Sequence, residues 1–524
     1  MFPVSDNQHR NIVFWGMAMI AMGLPLSIFL VSVGTFVLAG NWLLEGQYVT
    51  RLKQFFTDPL SLILVSTFLF FCLGIIWTEN VGHGLKELRI KLPILLMPLL
   101  LFTSKLPGKK RQESILYLFV LACIVGSVLG AARYFEVWGG ELLNKRHISL
   151  FISHIRFGLM LTLSFFILAY FLYSKWRVWS IPEKIICLFA MIWILWFVVI
   201  LEAFTAYVAF AVVLIFSMFW FLIKQQNHIL KTGFFLAIMF LAIASSFYIK
   251  SIADTHFQEV PFDYRTQKER TLNGRLYAHQ KDVLYRENGH RVWNYVCWDE
   301  LQNEWSKFSS VKFDTLDKKG QPIKFTAIRY MTSKGLLKDS VGIHQLSASD
   351  ISNIEHGFTN FLYTDKLGVS RRIDQLFWAF EEYSWQQNAN NSSALQRWVY
   401  AQVGWSILKE NAVLGVGTGD VFDAYRQAYS LDNRGMENRF QGISHNQFLT
   451  IGITLGFAGL IIFLLTIAYP LFQYKRDYLY VVFTLLMVVS FFTDNTFDRQ
   501  SGVTLFAFFN AFLIVRREFA EAEG

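Results

Sequence analysis

The tripeptide Ser444-His445-Asn446 places a histidine where a long polar segment gives way to an apolar one. The apolar run opens with Gln447-Phe448-Leu449-Thr450, so we expect His445 at a water–lipid boundary, with Ser444 as the N-cap of the following helix. A neutral imidazole at that place can take a proton from a hydroxyl nucleophile. The alternative is an interfacial histidine without a chemical role, and its position alone does not decide between the two.

Two arginines could supply fixed positive charge near the same boundary. Arg397 lies in Gln396-Arg397-Trp398-Val399-Tyr400, on a predicted helix with an aromatic face, and Arg156 lies in Ser153-His154-Ile155-Arg156-Phe157, at the external end of a predicted membrane span. A guanidinium remains charged and offers paired donors to the oxygens of a departing diphosphate. The alternative for each residue is an arginine that snorkels from a helix end to the interface.

The glycine-rich segment Gly415-Val416-Gly417-Thr418-Gly419-Asp420 superficially resembles a nucleotide-binding loop. It lacks the lysine of a P-loop and the strand–helix setting of a dinucleotide site, so we interpret it as a tight turn. We expect Asp420 to cap a helix over Val421–Ser430. The backbone N–H groups of Gly417 and Gly419 remain candidates for binding a phosphate.

The elements that must position these residues are mainly membrane spans, because 54% of the 524 residues are hydrophobic. Runs of roughly 20 apolar residues are long enough to cross a bilayer. The sequence predicts an all-α polytopic membrane protein with twelve spans, near 12–23, 26–44, 58–77, 92–104, 113–135, 150–173, 184–201, 203–223, 231–250, 444–469, 477–493 and 499–515. The first two form one apolar run, which we divide at Gly23-Leu24-Pro25 because proline breaks or kinks a helix.

The basic residues predict how these spans are oriented. Lysine and arginine concentrate in alternate short loops and in the tail 516–524, as the positive-inside rule expects of cytoplasmic segments. This distribution accounts for the net charge of +9 without a nucleic-acid partner. It predicts cytoplasmic termini and three regions before the tail: spans one to nine over 1–250, an external loop domain over 251–443, and spans ten to twelve over 444–515.

The long external loop is aromatic and of mixed charge, so we expect it to fold as a mostly helical domain. Asp350–Asn360 and Gln396–Asn411 have helical spacing, whereas Lys324–Tyr330 indicates at most a short strand. Cys297 is the single cysteine in this loop, which therefore holds no internal disulfide.

A second cationic segment, Glu79–Leu92, lies on the predicted external side and carries Lys86, Arg89 and Lys91 against the positive-inside trend. An interfacial amphipathic helix that attracts lipid phosphates would explain this composition. A solvated helix without a substrate role is the alternative.

Other kinds of chemistry find no support in the sequence. There is no Cys or His pair at zinc spacing, no His-Glu-x-x-His and no Gly-x-Ser-x-Gly. The predicted spans contain almost no ionisable residues near their centres, which argues against an ion-coupled transporter.

In its C-terminal half the chain resembles the O-antigen ligase family, which is related to the O-antigen polymerases. The resemblance rests on Arg397 with Trp405 in a helix, on Asn411–Asp420, on His445-Asn446 opening a span, and on three spans that follow to the C-terminus. Loop segments such as Glu287-Asn288-Gly289 are similar to the Bacteroidetes branch of that family.

The resemblance implies a GT-C-like glycosyltransferase of the bacterial inner membrane. Such ligases move a glycan from undecaprenyl diphosphate to a sugar hydroxyl of the lipid A core, on the periplasmic face and without metal, nucleotide or other cofactor. It implies that His445 is the catalytic histidine and that Arg397 binds the donor diphosphate. We also expect Gly417, Gly419 and Asn446 to contact substrate.

A second arginine of the family usually stands in a Ser-Arg or Thr-Arg pair at the start of the span near Ala203. This chain has Thr205-Ala206-Tyr207 there, so that arginine is missing. Arg156 is our expected substitute.

Three other functions remain open at this point. An O-antigen polymerase would use a second lipid-linked repeat unit as its acceptor, and sequence separates it poorly from a ligase. A transporter of the carrier lipid would form no glycosidic bond. A sensor with a ligand-binding loop would need a cytoplasmic output domain, and only Arg516–Gly524 follows the last predicted span.

Overall fold

The computed structural model of the chain describes residues 5–138, 145–224, 228–258, 267–280, 283, 285–364, 369–386, 389–390, 393–431 and 436–522. These residues form 21 α-helices, which are α1 Asp6–Leu26, α2 Ile28–Glu45, α3 Tyr48–Thr57, α4 Pro59–Leu73, α5 Val81–Lys91, α6 Pro93–Thr103, α7 Lys109–Tyr134, α8 His154–Ser174, α9 Ile181–Leu201, α10 Phe204–Lys224, α11 His228–Phe257, α12 Trp298–Phe308, α13 Ile323–Ser333, α14 Ser340–Ile343, α15 Ala348–Glu355, α16 Val369–Gln386, α17 Ser393–Glu410, α18 Val421–Leu431, α19 Gln447–Gln473, α20 Tyr478–Thr493 and α21 Gln500–Ala522. Short 3-10 helices lie at Lys145–Ile148, Phe361–Thr364, Asn438–Phe440 and Thr496–Asp498. The strands β1 Arg286–Glu287 and β2 His290–Arg291 pair antiparallel.

Seven of the described helices are long and apolar enough to cross a membrane, namely α2, α7, α8, α9, α10, α11 and α19. The helices α3 and α4 meet at 89° and bring the number to eight if this bent pair is one span. All twelve predicted segments fall on helices, but α1, α6, α20 and α21 are shorter or less apolar. The structure confirms a helical membrane protein, whereas the count of twelve spans stays a prediction.

The first apolar run divides close to the predicted position at Pro25, since α1 ends at Leu26 and α2 begins at Ile28. The two helices pack antiparallel: a Cβ on Gly34 would lie 2.7 Å from the carbonyl oxygen of Gly16, and His9 hydrogen-bonds to Asn41 at 2.8 Å. Glycine at the crossing allows the close backbone approach that membrane helices use.

Packing divides the chain into two compact units. The first comprises Met1–Gln226 together with Asn388–Gly524, and the second comprises Asn227–Gln387. These limits differ from the predicted loop domain over 251–443, because α11 joins the second unit and both α17 and α18 join the first. The predicted limits follow hydropathy: they mark the segment expected outside the membrane, whereas the two units are defined by packing, so the predicted limits stay a prediction.

The second unit has its own apolar core, which contains Trp305, Tyr330 and Met331. The predicted strand over Lys324–Tyr330 is wrong, because these residues lie within α13. Ile323, Ala327, Tyr330 and Met331 are buried at helical spacing, so a helix places them all on one face against the core.

Within the first unit, α19 is interrupted at Gly456, whose φ of +67° is not helical. The segment that follows α17 packs into the break: Val416 N–H donates to Ile453 O at 2.8 Å, and Gly417 N–H donates to Thr454 O at 3.0 Å. On the other side of the break Phe457 N–H donates to the carbonyl oxygen of Ala412 at 2.8 Å. Backbone groups freed by the interruption are thereby satisfied inside an apolar bundle, where an unpaired group is costly.

Candidate active site

The N-terminus of α19 places His445 at the edge of the helical bundle. Asn446 is the N-cap, since its side chain accepts a hydrogen bond from Leu449 N–H at 3.0 Å. The expectation that Ser444 would cap the helix is wrong by two positions, because Ser444 instead donates its N–H to the Tyr425 hydroxyl at 3.1 Å. His445 therefore immediately precedes the cap, and its side chain is 40% exposed.

The imidazole of His445 faces a carboxylate that the sequence analysis did not identify. Its Nδ1 lies 3.5 Å from Oδ1 of Asp494, the residue that terminates α20. At this separation the pair is an electrostatic contact, and Nδ1 forms no hydrogen bond within the described residues. Asp494 is largely shielded from solvent, with its side chain 13% exposed.

Arg156 approaches the same carboxylate from the first turn of α8. Its Nη2 lies 3.6 Å from Oδ2 of Asp494 and donates to the carbonyl oxygen of Asn495 at 3.5 Å. The guanidinium is buried, and its Nε has no hydrogen-bond partner among the described residues. A buried guanidinium whose Nε–H is unused retains donor capacity for a further anion.

Arg397 reaches this turn from α17. Its Nη1 donates to the carbonyl oxygen of Thr493 at 3.4 Å, and its charge acts on Asp494. Burial by itself would raise the pKa of the Asp494 carboxyl. The neighbouring histidine and two guanidinium groups outweigh burial and hold that pKa below its ordinary value, so Asp494 is a carboxylate at neutral pH.

A network of polar side chains joins the turn after α20 to the start of α19. Asn495 donates its amide to Ser444 O and accepts from the Thr450 hydroxyl at 2.9 Å. Asn446 donates to the carbonyl oxygen of Phe492 at 3.4 Å, and Phe497 N–H donates to the Gln447 side chain at 2.7 Å. These bonds fix the distance between His445 and Asp494.

Two tyrosines hold the segment that contains His445. The Tyr400 ring lies 6.1 Å from the imidazole, centroid to centroid, and its hydroxyl donates to the carbonyl oxygen of Phe440. Tyr425 donates from its hydroxyl to Tyr400 O at 3.1 Å. The segment before α19 is thus held against α17 and α18, which orients the imidazole.

The glycine-rich turn, which we expected to bind a phosphate, uses its backbone amides for contacts within the protein. Gly417 N–H is used at the α19 break, and Gly419 N–H donates to the Thr78 hydroxyl at 3.3 Å. The predicted α18 is present, but the side chain of Asp420 accepts from Glu79 N–H at 2.9 Å and from Asn80 N–H at 2.7 Å. The contacts of this motif connect α4, α5 and α19, and the amides of Gly417 and Gly419 already have acceptors within the protein.

The structure therefore brings together four of the six predicted site residues, namely His445, Arg397, Arg156 and Asn446, around the turn that ends α20. Sequence reasoning missed Asp494 and Asn495. Their signal was present in Thr493-Asp494-Asn495, a polar triplet at the end of a predicted span on the same predicted side as His445.

This constellation suits the displacement of an anionic leaving group by a hydroxyl. The imidazole can receive the hydroxyl proton while the carboxylate stabilises the imidazolium that forms. Two guanidinium groups can stabilise negative charge that develops on a leaving diphosphate. All these groups come from the ends of helices, so the scaffold positions them before substrate arrives.

A family model matches the part of the chain that contains much of this site. The family model described as O-antigen ligase matches residues 356–464, a segment that contains Arg397, the glycine-rich turn and His445. No curated protein matches the chain. The match over 356–464 confirms the resemblance to the O-antigen ligase family that the sequence indicates.

Proposed function

We propose that this protein transfers a glycan from undecaprenyl diphosphate to a sugar hydroxyl of the lipid A core. The observation that carries the proposal is the convergence of His445, Asp494, Arg156 and Arg397 on one turn at the boundary of the helical bundle. A base beside two cations matches the needs of a hydroxyl nucleophile and a diphosphate leaving group.

In the proposed reaction the acceptor oxygen attacks the anomeric carbon of the donor glycan. The new bond joins that carbon to the acceptor oxygen, and the bond from the same carbon to the phosphate oxygen breaks. The acceptor proton passes to His445, and undecaprenyl diphosphate leaves with its charge balanced by Arg397 and Arg156. Asp494 touches neither bond and acts by orienting and stabilising the protonated imidazole.

We also propose a membrane and an orientation for the chain. The chain would lie in the bacterial inner membrane as a GT-C-like enzyme, with cytoplasmic termini and the site on the periplasmic face. The match to residues 356–464 supports a member of the O-antigen ligase or polymerase family. Within that family, we propose the lipid A core as the acceptor.

The test is transfer by the purified protein in detergent, with lipid-linked glycan, lipid A–core and EDTA. We expect a core–glycan product, and a rate about 10²–10⁴-fold lower for His445→Ala, as for loss of a general base. His344→Ala, in the second unit, is the matched control and should transfer at the wild-type rate. Full activity of a folded His445→Ala protein would remove the proposed base.

The same assay separates the nearest alternative functions. Longer chains on the carrier, without product on the core, would identify a polymerase. No new glycosidic bond with either acceptor would reopen the transporter interpretation. Unchanged rates in both Arg397→Ala and Arg156→Ala would remove the proposed diphosphate clamp.

A further inference from the structure

The helix α5 exposes two cations beside apolar side chains, close to the candidate active site. Lys86 and Arg89 are exposed. Val81, Leu85 and Leu92 are also exposed, at spacings that place them along the same side of the helix. Cations interleaved with apolar side chains on one helix face match a ligand that combines phosphate with hydrocarbon.

The third cation of this helix has a different task. Lys91 is buried, forms an ion pair with Glu87 one turn earlier, and lies 4.8 Å from the centre of the Phe71 ring. It anchors α5 to α4. The structure thus resolves the cationic segment that the sequence identified into one internal cation and two that face outwards.

The start of α5 is fixed by the glycine-rich turn. The Asp420 carboxylate accepts hydrogen bonds from the two residues that precede the helix, and Asn80 then caps it through His83 N–H at 3.2 Å. A Cβ on Gly419 would lie 2.8 Å from the backbone nitrogen of Gly84, so only glycine permits this approach. The exposed face of α5 is therefore held by a motif that belongs to the matched family segment.

The helix α5 adjoins the candidate active site on its buried side through the 3-10 helix Thr496–Asp498, which contacts α5 and directly follows the turn containing Asp494. Asp498 interacts electrostatically with Lys91 of α5 and also with Arg156 of the site. A lipid phosphate bound on the exposed side of α5 would thus be one helix away from the proposed reaction centre.

We propose that Lys86 and Arg89, together with Val81, Leu85 and Leu92, form the docking surface for the phosphorylated lipid anchor of the acceptor. This inference rests on the proposed function, in which Arg156 and Arg397 hold the donor diphosphate. Two amphipathic substrates must then be present at once, and the second needs its own phosphate-binding and apolar contacts. The two exposed cations complement the negative charge of that anchor.

The test is steady-state transfer by the double variant Lys86→Glu, Arg89→Glu. We expect KM for phosphorylated lipid A–core to rise at least tenfold, with kcat and the KM for donor changed less than twofold. With chemically dephosphorylated lipid A–core, the wild type and the variant should have the same KM. The control is Lys109→Glu, Lys110→Glu, which reverses two exposed charges at the start of α7 and should change neither KM.

Three results would overturn the proposal: an unchanged KM for the acceptor, a rise in the KM for donor instead, or an equal loss with the dephosphorylated acceptor. Binding of phosphorylated lipid A–core to the His445→Ala protein, measured by native mass spectrometry, gives a readout that needs no transfer. Weaker binding after the α5 double substitution would support the docking surface even if the transferred glycan differs from our proposal. Equal binding by the His445→Ala protein with and without the α5 double substitution would exclude the docking surface.

Discussion

At the scale of single residues, the chemistry of the site depends on a carboxylate that touches no reacting atom in the proposed mechanism. Asp494 lies between the imidazole of His445 and the guanidinium of Arg156, at 3.5 and 3.6 Å. In the proposed mechanism, a negative charge shared by the base and by a diphosphate-binding guanidinium couples the two halves of the reaction. Removing that charge should affect both halves.

We therefore expect Asp494→Asn to lower kcat by roughly tenfold to a hundredfold, a smaller loss than that of the base itself. The amide keeps the shape of the side chain but no longer stabilises the imidazolium. Steady-state transfer measures this effect. Asp423→Asn, which neutralises a half-exposed carboxylate of α18, is the control and should retain the wild-type kcat.

We also expect the effect of Asp494→Asn on stability to depend on pH. Because the pKa of Asp494 is lowered in the folded protein, its charge stabilises the fold above its unfolded pKa of about 4. That contribution is lost as pH falls through the folded pKa. The difference in Tm between wild type and Asp494→Asn should thus be present at neutral pH and shrink on acidification below about pH 4. A difference that grew on acidification would contradict the assigned charge.

At the scale of elements, the interruption of α19 joins three parts of the first unit. The break accepts the chain that follows α17, and the glycine-rich turn then continues to α4 and α5. Gly456 enables this arrangement, because its φ of +67° is strained for any residue with a side chain. A Cβ there would also collide with the carbonyl oxygen of Val413.

Gly456→Ala should accordingly destabilise the protein by roughly 1–3 kcal/mol or more, with loss of the monodisperse folded species. Thermal unfolding followed by size-exclusion chromatography in detergent measures this loss. The matched control is Gly40→Ala in α2, where a Cβ meets nothing within 4 Å and helical φ is retained. Equal Tm values for the two variants would show that the break tolerates a side chain.

At the scale of the whole molecule, most of the described residues are helical, and the candidate site lies within one compact unit. The active-site groups come from α8, α17, α19 and α20, which are far apart in sequence. The second unit has a separate core and holds none of the six predicted site residues. Access of substrate from one side of the membrane therefore depends on how the first unit is oriented.

The predicted orientation is testable by cysteine labelling in intact cells. Arg426→Cys in α18 and Lys109→Cys in α7 each replace an exposed side chain. We expect a membrane-impermeant maleimide that enters the periplasm to label Arg426→Cys directly, and to label Lys109→Cys only after the inner membrane is permeabilised. The four native cysteines are buried or half-buried, so the wild type serves as the background control. The reverse labelling pattern would invert the topology.

The sequence by itself determined the features that depend on local composition. Apolar runs of membrane length predicted helices, because the backbone must satisfy its own hydrogen bonds in lipid, and all twelve runs are helical. His445 and Arg397 were recognisable because each lies in a short motif. The tertiary structure alone decided the rest: Arg156 and Asn495 are 339 residues apart in the chain, and no local pattern encodes their contact. No local pattern encodes the contact of Asp494 with His445 or the hydrogen bonds of Asp420 to the start of α5 either. The helical form of Lys324–Tyr330 likewise depends on the core against which this segment packs.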